Sequence, residues 1–153
     1  GALAGIIGRY IDPDRPKNSR YKIYSFPKGS LIYPLNHLEV VNDTLIGVES
    51  MFDAMLLHKW GMPNTFAIMG DAFTREQADM VAKRCKRLIA LFDLDKGGSV
   101  ALNSAKRLLK GRVIVLEPTY TPKKGKDPGE IGELETLKVI KSATAKRRLP
   151  RYE

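Results

Sequence analysis

The sequence predicts an α/β protein: a four-stranded parallel, Rossmann-like sheet with helices on both faces, preceded by a small β-rich basic lobe. Three observations carry that expectation. From residue 43 onward, four short apolar runs alternate with stretches of helical period. The runs are continuously apolar rather than alternating, as strands buried on both faces are. The first forty residues show no helical period at all; Tyr, Ile and Phe stand there in short runs broken by proline and glycine. The expected divisions are a lobe over 1–42, a sheet domain over 43–133 and a helical basic tail over 134–153.

Taken in order, "AGIIGRYI" and "SRYKIYSF" read as short, mostly antiparallel strands separated by Asp-Pro and Arg-Pro turn signals. "TLIGV" (44–48) is the first strand of the sheet. "SMFDAMLLHKWG" (50–61) is a helix capped by Ser50, with Asp53 at the reciprocal capping position and Gly61 as its stop. "TFAIM" (65–69) is a strand, and "TREQADMVAKRC" (74–85) a helix with Thr74 as N-cap. "RLIALF" (87–92), "GSVALNSAKRLLK" (98–110) and "RVIVLE" (112–117) complete the alternation as strand, helix and strand. Asp127, Pro128 and Glu130 read as N-cap, first-turn proline and reciprocal partner of a further helix. From Leu134 the tail is helical by propensity and ends in the basic "AKRRLPRYE".

Composition narrows the classes of function. An apolar fraction of 43% suits a folded domain, and no apolar run approaches the roughly 20 residues of a membrane span. One cysteine and two histidines exclude an internal disulfide and a Cys/His zinc site within the chain. Cytoplasmic location is the expectation. The net charge of +9 turns the search for partners toward polyanions, nucleic acid first. The chain opens Gly1-Ala2-Leu3 rather than on methionine, and a fragment of a longer protein is expected on that ground.

Carboxylates stand at the ends of the predicted strands. Glu49 closes the first, Asp93 and Asp95 close the third, and Asp127 follows the fourth. Ligands of a parallel α/β sheet bind beyond the carboxyl ends of its strands, so these four are candidates for one edge. Grouped anions call for a cation, and an oxygen-only set selects a hard ion, Mg²⁺ or Mn²⁺. Gly97-Gly98 lets the backbone pass close by. Each residue also has a plain structural reading: Asp-X-Asp before glycine is ordinary turn chemistry, Glu49 a surface residue, Asp53 a partner of Ser50 and Asp127 a cap. His37, His58 and Cys85 read as structural, and Trp60 and Phe73 as packing residues.

The stretches "IGVESMFDAMLLHKWG", "FAIMG", "LIALFDLDKGGSVA" and "KGKDPGE" resemble, in order and spacing, the Toprim domain of primases, topoisomerases and small nucleases. Upstream, "GIIGRYI" and "SRYKIYSFPKGSLIYPL" are similar to the basic lobe that precedes Toprim in bacterial and phage DNA primases. The resemblance implies a four-stranded Toprim sheet and a metal site of Glu49, Asp93, Asp95 and Asp127, with Glu49, Asp93 and Asp95 catalytic. It implies nucleic-acid or nucleotide contacts from Arg9, Arg20, Lys28 and Lys126. The implied activity is metal-dependent synthesis of RNA primers on single-stranded DNA from ribonucleoside triphosphates, with a replicative helicase as partner. Two departures stand out: Glu49 is followed by Ser50 where the family has glycine, and Gly129 stands where it commonly has a second aspartate. These keep two alternatives open, a Toprim nuclease and a catalytically degenerate nucleic-acid-binding module.

Overall fold

The structure is a computed structural model that describes residues 5–16, 19, 21–24, 26–119 and 125–145. A two-stranded antiparallel ribbon comes first, β1 (Ile7–Arg9) against β2 (Tyr21–Ile23). The sheet follows: β3 (Thr44–Val48), α1 (Met51–Lys59), β4 (Thr65–Ala67), α2 (Arg75–Ala82), β5 (Arg87–Ala90), α3 (Lys96–Leu109) and β6 (Ile114–Leu116). Two further helices end the described chain, α4 (Pro128–Ile131) and α5 (Glu133–Ala145).

All four strands of the larger sheet run parallel in the order β4-β3-β5-β6. Alternate residues face opposite sides, which is what covering both faces requires. Leu45, Phe66, Leu88 and Ala90 meet Ala78 and Val81 of α2 and Ala101, Ala105 and Leu109 of α3. Ile46, Val48, Ala67 and Ile89 meet Ala54 and Leu57 of α1 and Val139 and Ala143 of α5. Gly47 suits this close packing: a β-carbon there would stand 3.2 Å from Phe66 and 3.3 Å from Leu88, whose side chains would have to give by a few tenths of an ångström. Among the described residues no helix is long and apolar enough to cross a membrane.

The strands stop earlier than the apolar runs do. β4 ends at Ala67 rather than residue 69 because Met69 turns into the left-handed region at φ 59°. β5 ends at Ala90, although Leu91 and Phe92 continue the run as buried backbone and the Leu91 N–H still donates to the Gly47 carbonyl of β3 at 2.8 Å. The third sheet helix starts at Lys96, two residues before the expected Gly98, because Asp95 caps it. Ser50, Thr74 and Asp127 cap their helices as expected, and Gly61 leaves α1 with φ 81°.

The lobe is held in place by the chain that leaves it. Tyr33 exchanges backbone hydrogen bonds with Ala67 at 3.1 and 2.7 Å. Gln77, fully buried on α2, donates to the carbonyls of Leu31 and Ile68 at 2.8 Å and of Lys28 at 3.3 Å. On the other side, the Tyr21 ring lies 5.9 Å from that of Phe52 on α1. The Arg9 guanidinium sits 5.7 and 5.4 Å from those two ring centres.

Candidate metal and nucleotide centre

β3 and β5 are neighbours at the middle of the sheet, so residues that follow them leave from adjacent points. Glu49 follows β3, and its Oε1 accepts the backbone N–H of Asp93 at 2.9 Å. That bond ties the exits of the two central strands together. Beyond it the loop closes on Asp95, whose Oδ1 accepts from Gly97 and Gly98 at 2.9 and 3.2 Å and starts α3. Gly98 is there because nothing larger fits: a β-carbon would fall 1.9 Å from the carbonyl oxygen of Asp93.

The segment after β6 reaches the same edge. The N–H of Leu94 donates to the carbonyl of Lys126 at 2.9 Å, and Lys126 Nζ stands 3.3 Å from Asp95 Oδ2. Asp127 then caps α4, accepting from Glu130 N at 2.8 Å. Glu130 was expected to answer its cap; its Oε2 instead accepts from Lys126 N at 3.0 Å.

Two glycines mark where the carboxylates converge. A β-carbon on Gly97 would lie 3.3 Å from Asp95 Oδ1 and 3.5 Å from Glu49 Oε2. One on Gly129 would lie 3.3 Å from Asp127 Oδ1 and 3.7 Å from Asp53 Oδ1. Asp93 stands between these pairs and feels the charge of all four other carboxylates. Burial and that repulsion push its carboxyl up to about 7. Asp53, half-buried and near Asp127 and Glu49, is pushed up to about 6 by desolvation first and by those charges second, and Glu49 is raised chiefly by burial. Asp95 is lowered, first by the Gly98 N–H and then by Lys126.

Asp53 is the member that sequence reasoning assigned elsewhere. Its spacing from Ser50 fits a capping box, yet Ser50 Oγ accepts from Phe52 N at 3.1 Å, and the Asp53 carboxylate is stabilised by the N–H of Gly129. Its place four residues after Glu49, one helical turn beyond the strand end, was the available signal.

Among the described residues no three His, Cys, Asp or Glu side chains close around a single point in this arrangement. The donor chemistry nevertheless fits a hard divalent ion: only carboxylate oxygens, gathered around glycines where a side chain would fill the space, with three of the acids raised by burial first and by one another's charge second.

The lobe faces this edge across a cleft of about 280 Å³. Tyr21 and Lys28 line one side, Glu49, Asp71 and Asp93 the other, with Met51, Phe52 and Met69 between. Arg9 lies near enough to Asp53 to offset part of its rise. Of the other predicted contacts, Lys126 sits against Asp95, and Arg20 lies outside the described residues. His58 Nε2 is 2.8 Å from the Thr65 carbonyl, His37 is exposed, and burial pushes the Cys85 thiol up to about 11. Phe73 is buried in the core on the α2 and α3 side of the sheet, and Trp60 packs against the core on the α1 and α5 side.

A family model described as Toprim-like matches residues 46–131. A DNA primase of Clostridium acetobutylicum is 30% identical, over 95% of this chain and 25% of its own length. The crystal structure of the Aquifex aeolicus primase, comprising its zinc-binding and RNA polymerase domains, superposes with a TM-score of 0.77 at 28% identity. That match covers 94% of this chain and 38% of the other. A primase catalytic domain solved bound to single-stranded DNA shares the fold, with a TM-score of 0.69 at 19% identity, over 93% of this chain and 47% of that one. The chain thus spans about a quarter of the curated relative it matches. By its sheet order and by the match over residues 46–131, the chain belongs to the Toprim-like family.

Proposed function

We propose that this chain carries the nucleotidyl-transfer centre of a DNA primase, which makes RNA primers on single-stranded DNA from ribonucleoside triphosphates. The observation that carries the reading is the cleft: Lys28 of the lobe lines it together with the strand-end carboxylates Glu49 and Asp93 of the sheet, and Arg9 of the lobe lies near Asp53. A nuclease has no evident use for that lobe, and the Gly129 departure leaves Asp53 and Asp127 facing each other rather than dispersing the acids. The sequence relatives named DNA primase, and the fold shared with a primase domain bound to single-stranded DNA, support the same substrate class. A replicative helicase as partner and a cytoplasmic setting belong to this reading, on the resemblance alone. So do the divisions at 42/43 and 133/134.

In this reading Asp93, Asp95, Glu49 and Asp127 hold Mg²⁺ or Mn²⁺, with Asp53 beside them. The ion supplies charge stabilisation to the transferring phosphoryl group. The 3′-hydroxyl of the growing strand attacks the α-phosphorus of the incoming triphosphate, and pyrophosphate leaves with the electrons of the broken bond. The proton of that hydroxyl goes to a carboxylate at the cleft. Glu49, raised by burial, takes this proton or serves as a further ligand. Lys28, Arg9 and Lys126 offer their charge to phosphates, holding nucleotide and template in register. Arg20 belongs with them by its place in the sequence. The experiment is incorporation of labelled ribonucleotide on single-stranded template by wild type and Asp93→Asn. Synthesis that is lost in the variant supports the reading; synthesis that persists there sinks it.

A further inference from the structure

The cleft holds one carboxylate that none of these roles uses. Asp71 lies at its mouth on the loop after β4. Met69, in the left-handed region at φ 59°, donates its N–H to the Glu49 carbonyl at 3.0 Å, which ties the strand end to Glu49, and Gly70 and Asp71 after it line the cleft. Asp71 is exposed, and among the described residues it makes no hydrogen bond or ion pair. Glu49, Asp95 and Asp127 differ in that each accepts backbone N–H groups.

We propose that Asp71 reads the sugar of the nucleotide held in this cleft, its carboxylate accepting hydrogen bonds from ribose hydroxyls; this rests on the nucleotide-binding reading above. A nucleotide offers the cleft three kinds of surface. Its phosphates suit Lys28, and its flat base suits the Tyr21 ring and the Met51 and Met69 side chains that line the same space. What remains is the sugar, and Asp71 is the exposed carboxylate of the cleft that no other role takes up. A carboxylate only accepts, through two oxygens, and the neighbouring hydroxyls of ribose are two donors side by side. Acidic side chains hold ribose hydroxyls in dinucleotide folds on the same ground. Glu49 feels the charge of Asp71, so a further anion is unwelcome at this point, a condition that the neutral hydroxyl donors of a sugar meet. A 2′-deoxyribose brings one donor fewer and leaves the carboxylate partly unserved.

The test is equilibrium binding of adenosine triphosphate and its 2′-deoxy analogue, with Mg²⁺ and no template, to the wild-type chain and to Asp71→Ala and Asp71→Asn. The wild type should prefer the ribonucleotide by about five- to tenfold, the net worth of one hydrogen bond at a solvent-exposed site. Asp71→Ala should bring the ratio to about one by weakening the ribonucleotide more than the 2′-deoxy analogue, which loses only its 3′-hydroxyl bond, and Asp71→Asn, which keeps one carbonyl acceptor, should retain part of the preference. Equal affinities in the wild type, or a preference that survives in Asp71→Ala, overturns the role of Asp71 and leaves the nucleotide site standing. No binding of either nucleotide by the wild type overturns both.

Discussion

Asp93 stands where every field at the sheet edge adds, and its protonation follows from that position. The folded chain holds a proton there up to about pH 7, whereas the unfolded chain releases it near the ordinary value of 3.8. Between those limits the native state binds more protons, so this residue's share of stability falls as pH rises from about 4 to about 7 and stays lost above. Asp93→Asn removes the charge that burial and four neighbours oppose. In the presence of chelator the variant should be more stable than wild type at pH 8 by about 1–2 kcal/mol, after discounting for solvent at the cleft, and nearly equal to it at pH 4. Urea unfolding at the two pH values measures this; equal stabilities at pH 8 would remove the electrostatic account. The same residue shows what sequence alone could and could not convey. Its place at the end of an apolar run was legible, because strands of a parallel sheet deliver their ends to one edge. Asp53 was misassigned because Ser-x-x-Asp satisfies two local patterns, and only the approach of Gly129 decides between them.

The loop from Leu91 to Gly98 and the segment before α4 hold the acids in place, and each depends on one contact that can be removed. Gly98 sits in the first turn of α3, where alanine is ordinarily the better helix former by about 1 kcal/mol. Here the added carbon would meet the carbonyl of Asp93 at 1.9 Å, and backbone cannot yield as a flexible side chain does. Gly98→Ala should therefore destabilise by about 3 kcal/mol or more, reversing the propensity order, as denaturant midpoints would record. Lys126 acts on the other side of the loop. Asp95 Oδ1 is taken by two N–H groups and Oδ2 by the Lys126 ammonium, so a divalent ion meets a tethered competitor. Lys126→Gln should tighten Mn²⁺ binding about two- to fivefold by calorimetry, the scale of an exposed ion pair, while weakening nucleotide. An unchanged Mn²⁺ affinity would mean that Asp95 does not face the ion. The alternation of strands and helices was legible from period and run length alone. The strand ends were not, since Met69, Leu91 and Phe92 stay apolar beyond the last residues in strand conformation. Gln77 shows the same limit: nothing in its sequence neighbourhood says that it is fully buried and anchors the lobe through distant carbonyls.

At the scale of the whole molecule, the net charge of +9 is a field without an address until the fold distributes it. The acids gather at the carboxyl edge of the sheet, and the lobe sets Lys28 and Arg9 over them, fixed by Gln77 on one side and by the rings of Tyr21 and Phe52 on the other. Lys86 lies at the opposite edge, exposed and 3.3 Å from Asp43. The two lysines carry the same charge on the same stem, so any difference between them measures position. If the lobe places phosphates across the cleft, each direct contact releases about one counterion, and the affinity for single-stranded DNA falls with salt by a slope of roughly 0.7 per contact. Lys28→Gln should flatten the plot of log affinity against log salt by about that much, and uniformly across template sequences, since a phosphate contact carries no base information. Lys86→Gln should leave the slope unchanged. Equal losses from both variants would make the charge a diffuse attraction spread over the surface, and the cleft would then owe its template to something other than the lobe's cations.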